Sequence, residues 1–339
     1  TNEISNIIHH KVNKIAIMVK EGDSLFEVFG KEIEGYSKLV PYDVKKHFSI
    51  LWDDIFMEEP HIMANKGRIL KTFKSLNENK DNLVDLLRFI STVDVYNNLS
   101  TLYMENKYCI AEYDEKSLKP VIKAKEIWYP ILKNKVVKNS ITIGDKYPLN
   151  ALITGPNAGG KSTFIKSLTV AVIFSQTIGI VPGKEFLLAP FSFLNTYLNI
   201  PDCKGKESLF EAEMRRSLEH IRSLEELPKE DFSYVIMDEI FSSTNPNEGV
   251  SGAYAIADKL SQFKNNVCLI TSHYSHLTNL EREGKFKNYK IPISRDKDNK
   301  IVYNYKLIPG ISNQYIALEL LEKKGFDKEI VRKAQQISR

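Results

Sequence analysis

Residues 155–162 read Gly155-Pro156-Asn157-Ala158-Gly159-Gly160-Lys161-Ser162, and they form the most informative run of the sequence. It fits the pattern G-x-x-x-x-G-K-[ST], in which glycine-rich backbone amides surround phosphate groups, the lysine reaches the β- and γ-phosphates, and the hydroxyl binds Mg²⁺. A short apolar run at residues 149–153 predicts a buried strand before the stretch, and a helical pattern follows from Thr163. This order places the positive end of a helix beside the phosphates. The alternative is a glycine-rich turn that only lets a strand enter a helix.

Two acids end an apolar run later in the chain, at Tyr234-Val235-Ile236-Met237-Asp238-Glu239. Beside a phosphate loop, the first acid holds Mg²⁺, directly or through water, and the second positions and activates the attacking water. We therefore expect Asp238 to bind the metal and Glu239 to act as the base. The alternative is that both acids are solvated turn residues. The adjacent pair favours hydrolysis over binding alone, because a general base is useful only where water attacks.

A histidine follows the next apolar run of the sequence. His273 comes after residues 267–270, and a histidine at the C-terminal end of such a strand can form a hydrogen bond to the γ-phosphate. One alternative is a purely structural histidine. Another is a metal ligand together with His276, but this spacing lacks further ligands.

The composition is typical of a soluble globular protein. The chain has 339 residues and a net charge of +4, so it is long enough for two domains or one large one. Residues 164–182 come nearest to a membrane span, but Lys166, Ser175 and Gln176 interrupt them, which favours a buried helix. The three cysteines stand far apart, as is typical of structural thiols in a reducing, intracellular compartment. The charge permits nucleic-acid binding but is too small to indicate it.

The sequence pattern changes near residue 107. Residues 1–106 have helical periodicity and few strand signals, so they predict an all-α domain or a fragment of one. Residues 107–339 predict an α/β domain whose largely parallel sheet is covered by helices. The predicted helices are 161–178, 207–226 and 249–263, and the predicted strands include 108–112, 120–124, 234–238 and 267–271.

Three motifs resemble those of the MutS family of DNA mismatch-repair proteins. Residues 154–163 are similar to the family's TGPNMGGKST, with Ala158 in place of methionine, and P-loop proteins in general do not share the Pro-Asn pair. Residues 238–249 resemble DEIGRGTSTYDG, and residues 272–278 resemble THYFELT. The resemblance covers roughly residues 83–338 and implies a P-loop ATPase of the ABC type.

The resemblance implies which residues form the site. Lys161, Glu239 and His273 would be catalytic. Ser162 and Asp238 would bind Mg²⁺, and Val136 and Val137 fall where the family packs the adenine base of ATP. The residues that bind the phosphates would be Gly155, Pro156, Asn157, Ala158, Gly159, Gly160, Lys161, Ser162 and Thr163.

The resemblance also implies a homodimer joined through the ATPase domain. Residues 208–214 look like the family segment STFMVEM, whose serine reaches the nucleotide of the opposite subunit, so Ser208 would complete its partner's site. Ser208 is explained equally well as the N-cap of a helix with acids in its first turn, and both roles can hold. Residues 309–338 resemble the C-terminal helical pair that joins two ATPase domains.

Two stretches depart from the family pattern. The family reads mismatches with a Phe-x-Glu motif in an N-terminal α/β domain. Phe56-Met57-Glu58 matches that string, but it lies in a helical pattern without the glycine-rich flank or the preceding strand, so we expect the mismatch-recognition domain to be lacking. After the acidic pair, the family's Gly-Arg-Gly is replaced by Phe241-Ser242-Ser243.

These residues together predict a MutS-like, Mg²⁺-dependent ATPase that binds DNA and acts as a dimer in repair or recombination. One alternative is a MutS-derived ATPase that acts on branched DNA, on RNA or ribosomes, or on a protein partner. Another is a clamp that binds nucleotide without hydrolysing it. The intact acidic pair argues against this last alternative.

Overall fold

The computed structural model describes residues 12–17, 66–78, 80–105, 107–132, 136–198, 208–298, 300–312 and 326–337. The chain divides into two compact units, Thr1–Leu102 and Tyr103–Arg339. All of the strands and most of the helices that the structure describes belong to the second unit.

In the first unit, every residue that the structure describes lies in a helix. Residues 12–17 form a short helical segment, and α1 spans Lys66–Glu78. The helix α2 spans Lys80–Met104 and ends at the start of the second unit. Buried residues recur at helical spacing in α1 and give it one buried face: Ile69, Thr72 and Leu76. The Phe56-Met57-Glu58 string lies outside the described residues.

The second unit contains four α-helices and thirteen strands in its described part. The helices are α3 (Lys161–Ile178), α4 (Leu209–Glu226), α5 (Pro246–Ser261) and α6 (Lys328–Ile337), and a 3-10 helix spans Ser275–Glu281. The strands are β1 (Cys109–Tyr113), β2 (Ile122–Ile127), β3 (Asn139–Ile143), β4 (Asn150–Thr154), β5 (Ile180–Val181), β6 (Glu185–Leu188), β7 (Phe193–Tyr197), β8 (Ser233–Asp238), β9 (Asn266–Thr271), β10 (Lys287–Lys290), β11 (Ile293–Arg295), β12 (Ile301–Tyr303) and β13 (Ile308–Pro309).

The larger sheet has six strands in the order β13-β10-β4-β9-β8-β7. Every neighbouring pair is parallel except β10 with β13. Thr271 of β9 pairs with Ile153 of β4 on one side and with Asp238 of β8 on the other, so the carboxyl ends of these three strands lie side by side. Ligands of parallel α/β sheets bind at this kind of edge.

The smaller sheet has five strands in the order β3-β2-β6-β1-β5, and only β1 with β6 is parallel. One hydrophobic cluster joins Ile122 of this sheet, Leu168 of α3 and Ile153 of the larger sheet. The helix α3 therefore packs into a core that both sheets share. A separate hairpin is formed by β11 and β12.

The strands at the centre of the larger sheet are buried on both faces. In β4, β8 and β9, nearly every residue is buried, as expected for parallel strands covered by helices. Alternate residues face opposite sides: Ile236 belongs to the cluster with α3, whereas Val235 packs in a second cluster with Ala253 and Leu260 of α5. The two helices thus hold the central strands, and the loops after them, in place.

The predicted elements of the second unit agree with the structure to within about three residues at their ends. Helix 161–178 is confirmed as α3, so residues 164–182 begin within a packed helix. The helix predicted at 249 begins earlier, because the Asn245 side chain caps it and Pro246 occupies its first turn. None of the helices in the described part of the chain is long and apolar enough to cross a membrane.

Candidate active site

The glycine-rich loop connects β4 to α3 and has an unusual backbone conformation. Ala158 and Gly160 have φ values of 60° and 100°, in the left-handed region. No side chain in the described part of the chain caps α3 at Gly160, so the first amides of the helix remain available to an anion. A methyl group added at Gly160 would lie 3.0 Å from the Tyr305 ring, so both the backbone angle and the space favour glycine here.

Lys161 is buried under this loop. Only 4% of the residue is exposed, and its Nζ donates hydrogen bonds to the carbonyl oxygens of Gly155 (3.0 Å) and Pro156 (3.3 Å). Burial lowers the pKa of the ammonium group, and the nearby carboxylate of Glu239 partly opposes this effect. The loop therefore holds a cation at the carboxyl edge of the sheet.

Glu239 and His273 meet this lysine. The Oε1 atom of Glu239 lies 3.6 Å from Lys161 Nζ and 2.8 Å from His273 Nε2. His273 Nε2 is also 3.1 Å from Lys161 Nζ, but one ring nitrogen cannot donate to the carboxylate and accept from the ammonium at the same time. A proton on Nε2 gives the charge-assisted bond to Glu239 and leaves Lys161 to the two carbonyls.

This contact sets the charge state of Glu239. The hydrogen bond from His273 lowers the pKa of the Glu239 carboxyl, the positive charge of Lys161 lowers it further, and partial burial opposes both. Glu239 is therefore ionised at neutral pH. The side chain remains 37% exposed, so water can reach it.

Asp238, the other acid of the pair, is held by Thr271 of the neighbouring strand. The Thr271 hydroxyl donates to Asp238 Oδ1 at 2.5 Å, and it accepts from the backbone N–H of Glu239 at 2.9 Å. Sequence reasoning did not select Thr271. Its position beside Asp238 follows from the parallel register of β8 and β9, which cannot be read from the sequence.

The turn after the acidic pair is packed between two helices. Phe241 has a φ of 55° and is buried, with its ring 5.4 Å from that of Phe210 on α4. On the other side, a methyl group added at Gly252 of α5 would lie 2.8 Å from the Phe241 ring. The Tyr274 hydroxyl donates to the Phe241 carbonyl at 2.8 Å. These contacts fix the turn that carries Glu239.

A second polar contact joins this turn to α4. Ser243 Oγ donates to Oε2 of the buried Glu213 at 2.5 Å. Ser208 is the N-cap of the same helix: its hydroxyl accepts from the N–H of Glu211, and the Glu211 carboxylate accepts from the Ser208 N–H. The local capping role of Ser208 is therefore present in the structure.

A cavity of about 130 Å³ lies beside the glycine-rich loop. Tyr305 lines it and stacks on Tyr303 with the rings 5.9 Å apart and 17° from parallel. Asn139 fixes the backbone around Tyr305, since its amide donates to the Tyr305 carbonyl and accepts from the N–H of Leu307. The lining residues are Tyr129, Leu132, Val136, Val137, Asn139, Gly160, Thr163, Phe164, Ser167 and Tyr305. Such flat, largely apolar walls fit a planar ring.

Val136 and Val137, which the resemblance places beside the adenine base, line this cavity, whereas Tyr305 is not predicted from the sequence. Tyr305 follows the β11–β12 hairpin, far along the chain from the glycine-rich loop. No motif marks it. The segment around Val136 and Val137 and the segment around Tyr305 become neighbours only when the chain folds.

Among the described residues, the other histidines and cysteines do not form a metal site. His276 packs edge-on against Tyr254, with the rings 5.9 Å apart. In the part of the chain that the structure describes, no group of three or more His, Cys, Asp or Glu side chains could hold a metal ion. Cys109 and Cys268 are free thiols, and Cys203 lies outside the described residues.

The fold and site define the chain as a mixed α/β protein with a glycine-rich loop, a buried lysine and an acidic pair at the carboxyl edge of a mainly parallel sheet. Residues 151–339 match the family described as MutS domain V, so the chain belongs to the MutS family.

Two curated relatives illustrate the similarity. The chain is 29% identical over 278 residues to the DNA mismatch repair protein MutS of Clostridium botulinum (strain Loch Maree / Type A3), which covers 77% of this chain and 28% of that protein. It is 28% identical over 221 residues to the DNA mismatch repair protein MutS of Persephonella marina, covering 64% of this chain and 25% of that protein. The chain therefore spans about a quarter of the length of these relatives.

Proposed function

We propose that this chain is a MutS-like P-loop ATPase that hydrolyses ATP with Mg²⁺ and works as a homodimer on DNA. Residues 1–106 would form a helical lever, residues 107–339 the ATPase domain, and residues 309–338 its dimerisation element. The observation that carries the proposal is the meeting of Lys161, Glu239 and His273, within 3.6 Å of one another, under an uncapped helix N-terminus.

The glycine-rich loop and Lys161 would bind the phosphates. Backbone amides of residues 155–163 supply directed donors, and the buried ammonium supplies the charge. The charge is effective because the group is largely out of water, where electrostatic interactions are stronger. Lys161 also holds Glu239, so phosphate oxygens would compete with that carboxylate for the same cation.

Ser162 and Asp238 fit a magnesium ion that arrives with the nucleotide. A hydroxyl and a carboxylate are hard oxygen ligands, and Mg²⁺ keeps several waters and phosphate oxygens in such sites rather than an all-protein set of ligands. When bound, the ion would neutralise charge on the phosphates.

Glu239 would act as the general base for the attacking water. Its lowered pKa keeps it ionised at neutral pH, and its partial exposure leaves the carboxylate accessible. In the present geometry His273 donates to it. Phosphate oxygens would draw the His273 N–H and Lys161 towards the nucleotide, and this exchange frees the carboxylate to accept a proton from water. Nucleotide binding would thus itself activate the base.

The cavity lined by Val136, Val137 and Tyr305 would receive the adenine ring of ATP. It adjoins Gly160 and Thr163, so one nucleotide can reach both the cavity and the phosphate loop. Ser208 would complete the site of the opposite subunit in a dimer. Its local capping bonds leave it exposed at the N-terminus of α4, where such a contact is possible.

The isosteric substitution Glu239→Gln, which replaces the carboxylate by a neutral amide, tests the proposed general base. We expect it to lower the ATPase kcat by at least about 100-fold while ATP still binds, because the amide cannot take a proton from water. Phosphate release and retention of radiolabelled ATP would be measured together. The matched control is Glu230→Gln, an exposed acid just before β8. Unchanged turnover in the Glu239 variant would remove this residue from its proposed role.

The target of the ATPase is tested by its response to nucleic acids. The relatives are named DNA mismatch repair proteins, which favours DNA as the partner. The ATPase rate should be measured with perfect, mismatched, branched and single-stranded DNA and with RNA at several salt concentrations, because phosphate contacts make binding salt-dependent. Stimulation by DNA supports the proposal, whereas an equal rate under all conditions favours a protein partner.

A further inference from the structure

A buried threonine hydroxyl lies between the two acids of the candidate site. Thr271 is the last residue of β9 and is completely buried. The parallel register places it directly beside Asp238, the last residue of β8. A polar side chain at such a position needs hydrogen-bond partners, because an unpaired buried hydroxyl is costly.

The partners of this hydroxyl are the two acids themselves. Its single proton is donated to Asp238 Oδ1 at 2.5 Å, and one of its lone pairs accepts from the Glu239 N–H at 2.9 Å. This hydrogen bond holds one carboxylate oxygen of Asp238 and so fixes the orientation of the whole carboxylate. This bond uses Oδ1, and Oδ2 would serve as the metal ligand.

The bond to Glu239 acts on the backbone. Glu239 has a φ of 53°, in the left-handed region, where a non-glycine residue stays only if its surroundings hold it. Its N–H lies 2.9 Å from the Thr271 hydroxyl oxygen and 3.1 Å from the Thr271 carbonyl oxygen. Thr271 therefore helps to set the direction in which the Glu239 side chain leaves the backbone.

We propose that Thr271 is a positioning residue that orients Asp238 towards the metal and Glu239 towards the attacking water. The proposal rests on the ATPase function proposed above and adds a residue to it. The Thr271 hydroxyl is bonded to both acids, so it would act through them rather than by touching the nucleotide or the metal itself. Without the hydroxyl, Asp238 would face an apolar group and turn freely, and metal affinity would fall first.

The test compares Thr271→Val, which keeps the shape but removes the hydroxyl, with Thr271→Ser, which keeps the hydroxyl. The matched control is Thr169→Val, because Thr169 is also a buried threonine whose hydroxyl is bonded within the core, to the Ile165 carbonyl of α3. The readouts are Mn²⁺ binding by electron paramagnetic resonance with a non-hydrolysable ATP analogue, the Mg²⁺ dependence of ATPase activity, and the melting temperature.

We expect Thr271→Val to weaken Mn²⁺ binding and raise the Mg²⁺ concentration for half-maximal rate by about tenfold, as is typical when a residue that orients a metal ligand is lost. We expect kcat to fall by a similar factor, about tenfold, because Glu239 loses its direction. Thr271→Ser should stay within about threefold of the wild type in all three measurements. Thr169→Val should lower only the melting temperature.

Two outcomes would overturn the proposal: wild-type Mn²⁺ affinity and Mg²⁺ dependence in Thr271→Val, or equal changes in Thr271→Val and Thr169→Val. If Thr271→Val does not fold, Thr271→Ala serves in its place, because it removes the hydroxyl without adding bulk, and the same shifts are expected. If the wild type itself has no ATPase activity, the proposed function fails. If the wild type hydrolyses ATP and the Thr271 variants match it, only the positioning role fails.

Discussion

The proposed nucleotide site has two ends that are built in different ways. The phosphate end contains Lys161, Asp238 and Glu239, and the base end is the cavity proposed to receive the adenine base. At the phosphate end, Lys161 is buried, and the acids are fixed by the ends of paired strands. At the base end, the cavity is formed by loop residues, and its aromatic wall, Tyr305, is 41% exposed. Charged groups act strongly only where their geometry is fixed and water is excluded, whereas a flat ring needs mainly contact area. We therefore expect the phosphate end to control the rate and the base end to control affinity.

The largest effect is expected at the phosphate end, for Lys161→Ala. This change removes the buried charge and leaves Glu239 without its neighbouring cation, so kcat/KM for ATP should fall by at least about 100-fold. Phosphate release and equilibrium binding of a fluorescent ATP analogue would measure it. The control is Lys184→Ala, an exposed lysine between β5 and β6. Near-normal turnover in Lys161→Ala would contradict the assignment of this residue.

A smaller effect is expected at the base end, for Tyr305→Ala. Loss of the ring should raise KM for ATP by about tenfold and leave kcat within about threefold, because stacking stabilises the bound base equally before and during the reaction. Tyr305→Phe keeps the ring and is the control. If Tyr305→Ala lowers kcat as strongly as Lys161→Ala does, the two ends do not differ in their control of rate and affinity.

The smallest effect at neutral pH is expected for His220, a buried histidine on α4 outside both ends. Its ring nitrogens find no hydrogen-bond partner among the described residues, and burial lowers the pKa of the imidazole to about 4 from its ordinary value of 6.5. The unfolded chain therefore binds more protons than the folded one between these values. Titration of His220 leaves the free energy of unfolding unchanged above pH 6.5. As the pH drops from 6.5 towards 4, the free energy of unfolding decreases, and the total loss is about 3 kcal/mol.

His220→Leu should abolish this part of the acid sensitivity. Leucine does not titrate and does not leave buried ring nitrogens unpaired, so the variant should be at least as stable as the wild type near pH 5 and equally active at pH 7.5. Urea denaturation at several pH values, together with ATPase rates, would measure both. The same loss of stability in acid for wild type and variant would show that another group titrates. Measuring stability and ATPase rate together distinguishes acid unfolding from a change of charge at the phosphate end, where Glu239 stays ionised in the neutral range.

The elements and motifs around the phosphate end could be predicted because they are contiguous in the sequence. A parallel sheet is indicated by the apolar runs of β4, β8 and β9 and by the helical pattern of α3. Glu239 and His273 follow the ends of β8 and β9, and Lys161 follows the glycine-rich loop after β4. Their catalytic roles stay predictions. The sequence did not point to Thr271 or Tyr305, because Thr271 depends on which strands are neighbours and Tyr305 on how a distant hairpin folds back.

The contact between Phe241 and Gly252 restricts the order in which this turn can change in evolution. A methyl group at Gly252 would lie 2.8 Å from the Phe241 ring, closer than packed carbon atoms approach. A side chain at position 252 can therefore be gained only by a lineage that has already lost the ring at position 241. Loss of the ring requires no earlier change at position 252. The aromatic ring at position 241 thus keeps position 252 a glycine for as long as the ring stays.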